Sequence, residues 1–339
     1  MRRHIFWHET RSMSARMEKR EAGMPLAVLL TGLLFSMPAG VVKAQYGRVE
    51  NPHPIPPFDA TERLAPPALS FFVIGSWGCG GAEQRNVAEA IRRRHEQEAA
   101  AAVLTTGNNF LDEGVAGLDD PQWHSKFEAV FKGAGAYPPF YPTLGISDAK
   151  GKADAQILYS SVHGESDHPK WVMPGRCWTA LFRANASSLA VRVTGIDTPL
   201  IMEGTPMERK EVLRVIDSLL GLNDAAWKIV VGHHPVYSNG RGGNTLGMIL
   251  SVQPLLEKHG VQAYFAGRDN DLQILAPVRG VRYAVSGAAC RTSDTRWADN
   301  TLFTDSRFGF LWFQVNEREM LIQAVASDGT VLFAVKSPR

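Results

Sequence analysis

The chain has 339 residues, of which 45% are hydrophobic and 21% charged, a composition that excludes disorder throughout and leaves room for one large domain or two ordinary ones. The net charge of +2 comes from the start of the chain: residues 1–44 carry seven Lys/Arg against three Asp/Glu, and the rest carries 29 against 31. No basic face suited to nucleic acid emerges, and three cysteines, Cys79, Cys177 and Cys290, exclude a disulfide-built scaffold because they form at most one bridge.

In chain order, the first readable segment is "MPLAVLLTGLLFSMPAGVVKAQ" at 24–45. Its apolar run from Pro25 to Val42 follows Arg16, Lys19 and Arg20 and ends on the small residues Val42 and Ala44, the layout of a secretory signal peptide. Thr31, Gly32, Pro38 and Gly40 interrupt the run, so cleavage near Ala44 is expected in preference to a membrane anchor at 25–42. Met13, Met17 and Met24 stand as alternative starts. Entry into the secretory pathway would make "NAS" at Asn185–Ser187 a glycosylation acceptor, and would place the protein outside the cell or in an endosomal or lysosomal lumen. Membrane contact is expected only if the N-terminal segment stays uncleaved. Residues 45–67 are proline-dense and read as an extended arm, followed by one domain over 68–339.

Within that domain strands and helices alternate. "LSFFVIGSWG" (69–78) reads as a buried strand, 84–101 as a helix, and "AAVLTTGNN" (101–109) as a second strand. A helix is predicted at "DPQWHSKFEAVFKG", strands at "FYPTLGIS" and "SLAVRVTGID", and a helix at "ERKEVLRVIDSLLGL". The strand "WKIVVGHH", a helix at "TLGMILSVQPLLEKHG" and the strand "VQAYFAGRD" follow. After Asp271 the pattern is strands alone: "LQILAPV", "VRYAVSGA", "FGFLWFQV", "MLIQAVA" and "TVLFAVK". That order predicts an α/β fold, a mixed sheet flanked by helices with a second, largely antiparallel sheet behind it. Ligand sites in such folds lie beyond the carboxyl ends of the parallel strands, so the residues just after each strand carry the functional reading.

Those tips are "GSWG" (75–78), "GNNFL" (107–111), "GISD" (145–148), "GHHPVYS" (232–238) and "GRDN" (267–270). In order and spacing they resemble the tips of the small purple acid phosphatases, also called tartrate-resistant acid phosphatases, of the calcineurin-like metallophosphoesterase superfamily. The resemblance covers about residues 69–339. It implies a four-layer α/β/β/α sandwich of two mixed sheets flanked by helices, and a dinuclear Fe/Zn or Fe/Mn centre whose paired cations clamp phosphate and supply hydroxide.

Carried over residue by residue, the resemblance puts Ser76 where the family has its first aspartate, Asn108 at the bridging aspartate and Leu111 at the metal-bound tyrosine. Ile146 stands for the asparagine, and Arg268 and Asn270 for the two histidines of the last tip; His233 is the one ligand kept. Ser147 replaces the substrate-orienting histidine, and Arg241 opens the "RGG" that stands where the family often has "EHG". Ser, Asn, Leu and Ile cannot offset two multiply charged cations, and a guanidinium repels one. No metal cofactor and no catalytic residue are therefore expected. His233 with Asp148 and Asp269 is the remaining mononuclear candidate, although the family uses those aspartates as scaffold; His234 is expected to be structural or to border an anion.

The same substitutions remove about five units of metal charge and return about six through lost carboxylates and gained arginines. Arg268, His233, His234 and Arg241 are accordingly the candidate anion-binding residues. The functional expectation is a degenerate phosphatase homologue that binds a phosphate, a phosphorylated ligand or a protein partner through its former active-site cleft. The alternative is an acid phosphatase with a rebuilt metal site.

Overall fold

The computed structural model describes residues 57–133, 135–163, 170–185 and 187–339. The expected signal peptide and the first part of the arm lie outside the described residues. The described end of the arm, 57–67, lies on the domain. Leu64 is buried and its N–H donates to Gln314 Oε1 at 2.6 Å, Phe58 meets Phe333 edge-on, and Lys336 pairs with Glu62.

Two mixed sheets face each other. The first begins with β1 (Leu69–Ile74), parallel to β2 (Ala102–Thr105), which is parallel to β3 (Phe140–Tyr141). Its other half is formed by the last three strands of the chain: β11 (Gly309–Val315) lies antiparallel to β1, with β12 (Glu319–Ala326) and β13 (Val331–Pro338) beyond it. The second sheet runs β10-β8-β9-β7-β6-β5-β4. Its strands are β4 (Trp178–Arg183), β5 (Ala190–Gly195), β6 (Trp227–Val231), β7 (Ala263–Ala266), β8 (Leu272–Leu275), β9 (Arg282–Ser286) and β10 (Thr301–Asp305). In it β5, β6, β7 and β9 are parallel and the outer pairings antiparallel. The four-layer expectation is met. A separate, largely antiparallel second sheet is not, because the late strands divide: β9 joins the parallel strands of one sheet with β8 and β10 antiparallel at its edge, while β11–β13 return to β1.

The sequence of β1 shows why this closes. Residues 70–74 are all buried, a two-sided burial that requires the continuous apolar run "FFVI" in place of alternation. Phe71 and Val73 face the inter-sheet core, where Phe71 and Phe265 each stack on Phe313 at about 5 Å. Phe72 and Ile74 face α1 (Ala82–Gln97), which presents Gln84, Val87, Ala88, Ile91 and Arg94 at helical spacing.

On the second sheet's outer face lie α4 (Thr198–Glu203) and α5 (Pro206–Leu220). Thr205 caps α5 through a capping box with Glu208, and Pro206 follows in the first turn. The helix expected over 245–260 divides into α6 (Leu246–Ser251) and α7 (Gln253–Lys258), since Pro254 has no N–H for the preceding turn. The helix expected over 120–133 is only a π-helical turn, Trp123–Glu128, with Ala129 N–H donating to His124 O. Its side chains join an aromatic cluster in which Trp123 stacks on Tyr159 and Phe127 meets Trp171 edge-on.

The sequence reading did not anticipate β4, β10, α4 or the helices α2 (Ile146–Lys150) and α3 (Ala153–His163). The two strands lie at sheet edges with half-exposed faces, and α2 and α4 are of five and six residues, too short to show a period.

Candidate functional site

The tips predicted from sequence do converge, and main-chain contacts show how. Thr106, just past β2, is wedged between Gly75 and Gly267, where a Cβ would come within 2.1 and 2.0 Å of its Oγ1. Only glycine permits the two sheets to approach so closely here. Thr106 Oγ1 donates to Ser286 O at 2.9 Å, and Thr106 O accepts from His233 Nδ1 at 2.9 Å. Gly267 and Arg268 N–H both donate to His233 O. Four strand tips from two sheets thus meet around Thr106 and His233.

Ser76 and Asn108 sit beside this junction with left-handed backbones, φ +49° and +55°. Ser76 N–H donates to Gly107 O at 3.0 Å, Asn108 Nδ2 donates to Ser76 Oγ at 3.3 Å, and Asn108 Oδ1 accepts from Ser147 N–H at 2.9 Å. The residues that the resemblance matches to the first and bridging aspartates therefore bond to each other and to the third tip. Leu111 and Ser147 are buried, Ile146 and Asn270 half-buried, and Arg268 and Arg241 exposed. Arg268 lies against the 241–243 loop, its Nη1 2.8 Å from where a Cβ on Gly242 would stand.

His233 is fully buried and its Nε2 has no hydrogen-bond partner. Because a carbonyl only accepts, Nδ1 carries the proton and the neutral ring directs a lone pair from Nε2. Burial, opposed by the Thr106 bond and aided by Arg268, pushes its pKa down to about 4, so that state holds at neutral pH. This is how a protein orients a metal-binding histidine. His234 is held differently. Thr198 Oγ1 accepts from both His233 and His234 N–H and so donates its own proton to His234 Nδ1, at 2.9 Å. Burial first, then His233 and Arg268, push the His234 pKa down to about 2. His234 is therefore neutral and bonded within the fold.

The two aspartates are committed elsewhere. Asp148 Oδ2 accepts from Asn109 and Gly145 N–H, and Oδ1 from Phe110 N–H and Gln156 Nε2, all within 3.1 Å. Asn109 extends this network to Trp77, Thr105 and Thr143. Asp269 accepts from Ser238 Oγ at 2.5 Å and Gly242 N–H at 2.8 Å, fixing the loop that carries Arg241. Among the described residues no group of three His, Cys, Asp or Glu could hold a metal ion. His233 Nε2 suits one ligand position, but serine, asparagine, leucine, isoleucine and arginine at the others do not suit a dinuclear centre.

Three features escaped the sequence reading. Cys79 and Cys290 form a disulfide, with Cα atoms 6.2 Å apart, leaving Cys177 free; pairing among three cysteines is not legible in sequence. Asp271 is buried beside Gln273, and burial with nearby Asp269 raises its pKa to about 7. Two cavities have linings outside the tips, one of about 540 Å³ bordered by Leu118, Leu158, Arg176 and Leu200 and one of about 600 Å³ between Arg183–Asn185 and the end of the arm. Asn185 is exposed in the turn between β4 and β5, a position open to a glycan.

No model of a known protein family matches the chain. Among curated proteins, tartrate-resistant acid phosphatase type 5 of Oryctolagus cuniculus is 28% identical over 305 residues, 81% of this chain and 92% of the relative. Purple acid phosphatase 17 of Arabidopsis thaliana is 30% identical over 243 residues, 66% of this chain and 69% of the relative. Among solved structures, one described as GAP50, the anchor in the inner membrane complex of Plasmodium, superposes with a TM-score of 0.73 at 27% identity, covering 80% of this chain and 89% of its own.

Proposed function

The chain belongs to the purple acid phosphatase family of metallophosphoesterases, and from that premise we propose that it is a catalytically degenerate member that binds and does not hydrolyse. The observation that carries this reading is the isolation of His233: it keeps the tautomer and backbone bond of a metal ligand, while the two carboxylates of the tips around it, Asp148 and Asp269, are committed to scaffold hydrogen bonds and one tip holds Arg268. Phosphate ester hydrolysis in this fold depends on paired cations for charge and for a nucleophile, and neither Ser76 nor Asn108 can replace them.

Binding is assigned to the exposed rim. A buried His233 lone pair attracts a donor and not an anion, so the forked donor Arg268, with Arg241 beside it, carries the anion-binding role. The ligand is a phosphorylated or acidic group, most economically one displayed by a protein partner. The structural neighbour described as an anchor supports this use of the frame. The disulfide and the exposed Asn185 sequon support maturation in an oxidising secretory compartment, and among the described residues no helix is long and apolar enough to cross a membrane.

Elemental mass spectrometry of protein purified without chelator tests the reading. Iron, zinc and manganese together are expected below about a tenth of an equivalent, with no turnover of an aryl phosphate. A stoichiometric metal with turnover would instead establish the rebuilt phosphatase site. A variant carrying Ser76→Asp, Asn108→Asp, Ile146→Asn, Arg268→His and Asn270→His is expected to regain metal uptake, because His233 is already oriented to receive it.

A further inference from the structure

We propose that the Cys79–Cys290 disulfide takes over the tie between strand tips that a metal bridge would otherwise provide. Two non-glycine residues, Ser76 and Asn108, retain left-handed backbones at the positions of the two lost aspartates. Such conformations persist only where the surroundings over-determine them. Coordination no longer does so in a degenerate site, and the hydrogen bond between the two side chains, 3.3 Å long, is a weak substitute.

The disulfide lies where a tie is needed. Cys79 directly follows the first tip and Cys290 follows β9, whose loop returns to that tip through Ala289 N–H donating to Gly75 O at 3.3 Å. The same loop reaches the second tip: Arg291, next to Cys290, pairs with Asp112, and Leu111 N–H donates to Gly78 O at 2.9 Å. Loops 75–81, 107–112 and 287–292 therefore form one junction with a single covalent link, spanning 211 residues of sequence and joining the two sheets. Its formation is a thiol–disulfide exchange in which Cys79 and Cys290 pass two protons and two electrons to a disulfide donor, which leaves as a dithiol. Cys177, remote from both in the sequence, remains the free thiol.

The inference rests on the degenerate reading of the site, but separate measurements decide the two: metal content decides that reading, and thiols and amide exchange decide this one. Denatured without reductant, the protein is expected to show one titratable thiol; three would overturn the proposal. A Cys177→Ser variant is then compared oxidised and reduced with dithiothreitol by hydrogen exchange and mass spectrometry. Reduction is expected to speed exchange about tenfold or more in the three loops and to leave β5, β6 and β7 protected. Unchanged loops, or loss of protection throughout the molecule, would refute a local tie. Arg291→Ala, with the disulfide intact, is expected to loosen 107–112 and 287–292 by a smaller factor, and no change there would remove the ion pair from the junction.

Discussion

The tip layer and the network directly beneath it have fared differently. At the tips, Ser76, Asn108, Ile146, Arg268 and Asn270 offer neither carboxylate nor imidazole. One step inward, Trp77, Asn109, Asp148, Gln156 and Thr143 form a buried network in which every Asp148 lone pair and both Asn109 amide protons are used. The contrast separates two demands on one set of loops. Chemistry needs ligands facing the cleft, whereas the fold needs the polar groups turned away from it to be satisfied. The two sets are separable, so on the degenerate reading proposed above the frame persists while the cleft-facing residues change.

Breaking the inner network should give the largest effect. Asp148→Ala strands three backbone N–H groups and the Gln156 amide, and is expected to lower the free energy of unfolding by about 3–5 kcal/mol, measured by urea denaturation. A loss similar to that of a tip substitution would erase the distinction between the layers.

Asp271 offers a pH-dependent test of the neighbouring buried carboxylates. Its folded pKa, raised to about 7 by burial and by Asp269, means that the folded state holds the proton more tightly than the unfolded chain. Its contribution to stability is therefore full below the unfolded value near 4 and is lost as pH rises through 7. Asp271→Asn is expected to remove that slope and to stabilise the protein at pH 8 by on the order of 3 kcal/mol relative to its effect at pH 4. Melting curves across that range that parallel the wild type would refute the assignment.

Thr198→Val, which leaves His233 and His234 N–H without their shared acceptor, should cost about 2 kcal/mol. It should also free His234 Nδ1, visible as a change in the imidazole nitrogen NMR shifts. The smallest effect belongs to the rim: Arg268→Ala should move stability by less than about 0.5 kcal/mol while weakening the binding of inorganic phosphate or a phosphopeptide. Unchanged binding would dissociate the rim from function.

Much of this molecule was legible without coordinates. The parallel strands and their tips announced themselves because buried two-sided strands are continuous apolar runs and glycines mark where each one ends. The scarcity of cation donors at the tips was legible for a related reason: a side chain's capacity to bind a cation is a property of its residue type, and the side chain of Ile146 or Arg268 lacks that capacity in any fold. The sequence by itself therefore determined the element order of the core strands, the convergence of five tips and the poverty of donors there. Tertiary structure alone decided how strands far apart in the chain share a sheet, so that β11–β13 close on β1. It also decided that 57–67 packs on the domain and that the helix expected over 120–133 gives way to aromatic packing. The roles of single polar groups belong to the same class. Asp148 turned inward, His233 sealed with a free lone pair, and Cys79 joined to Cys290 all depend on neighbours brought from other segments, 38 residues away for Phe110 on Asp148 and 211 for the disulfide, and such pairings leave no local periodicity to read.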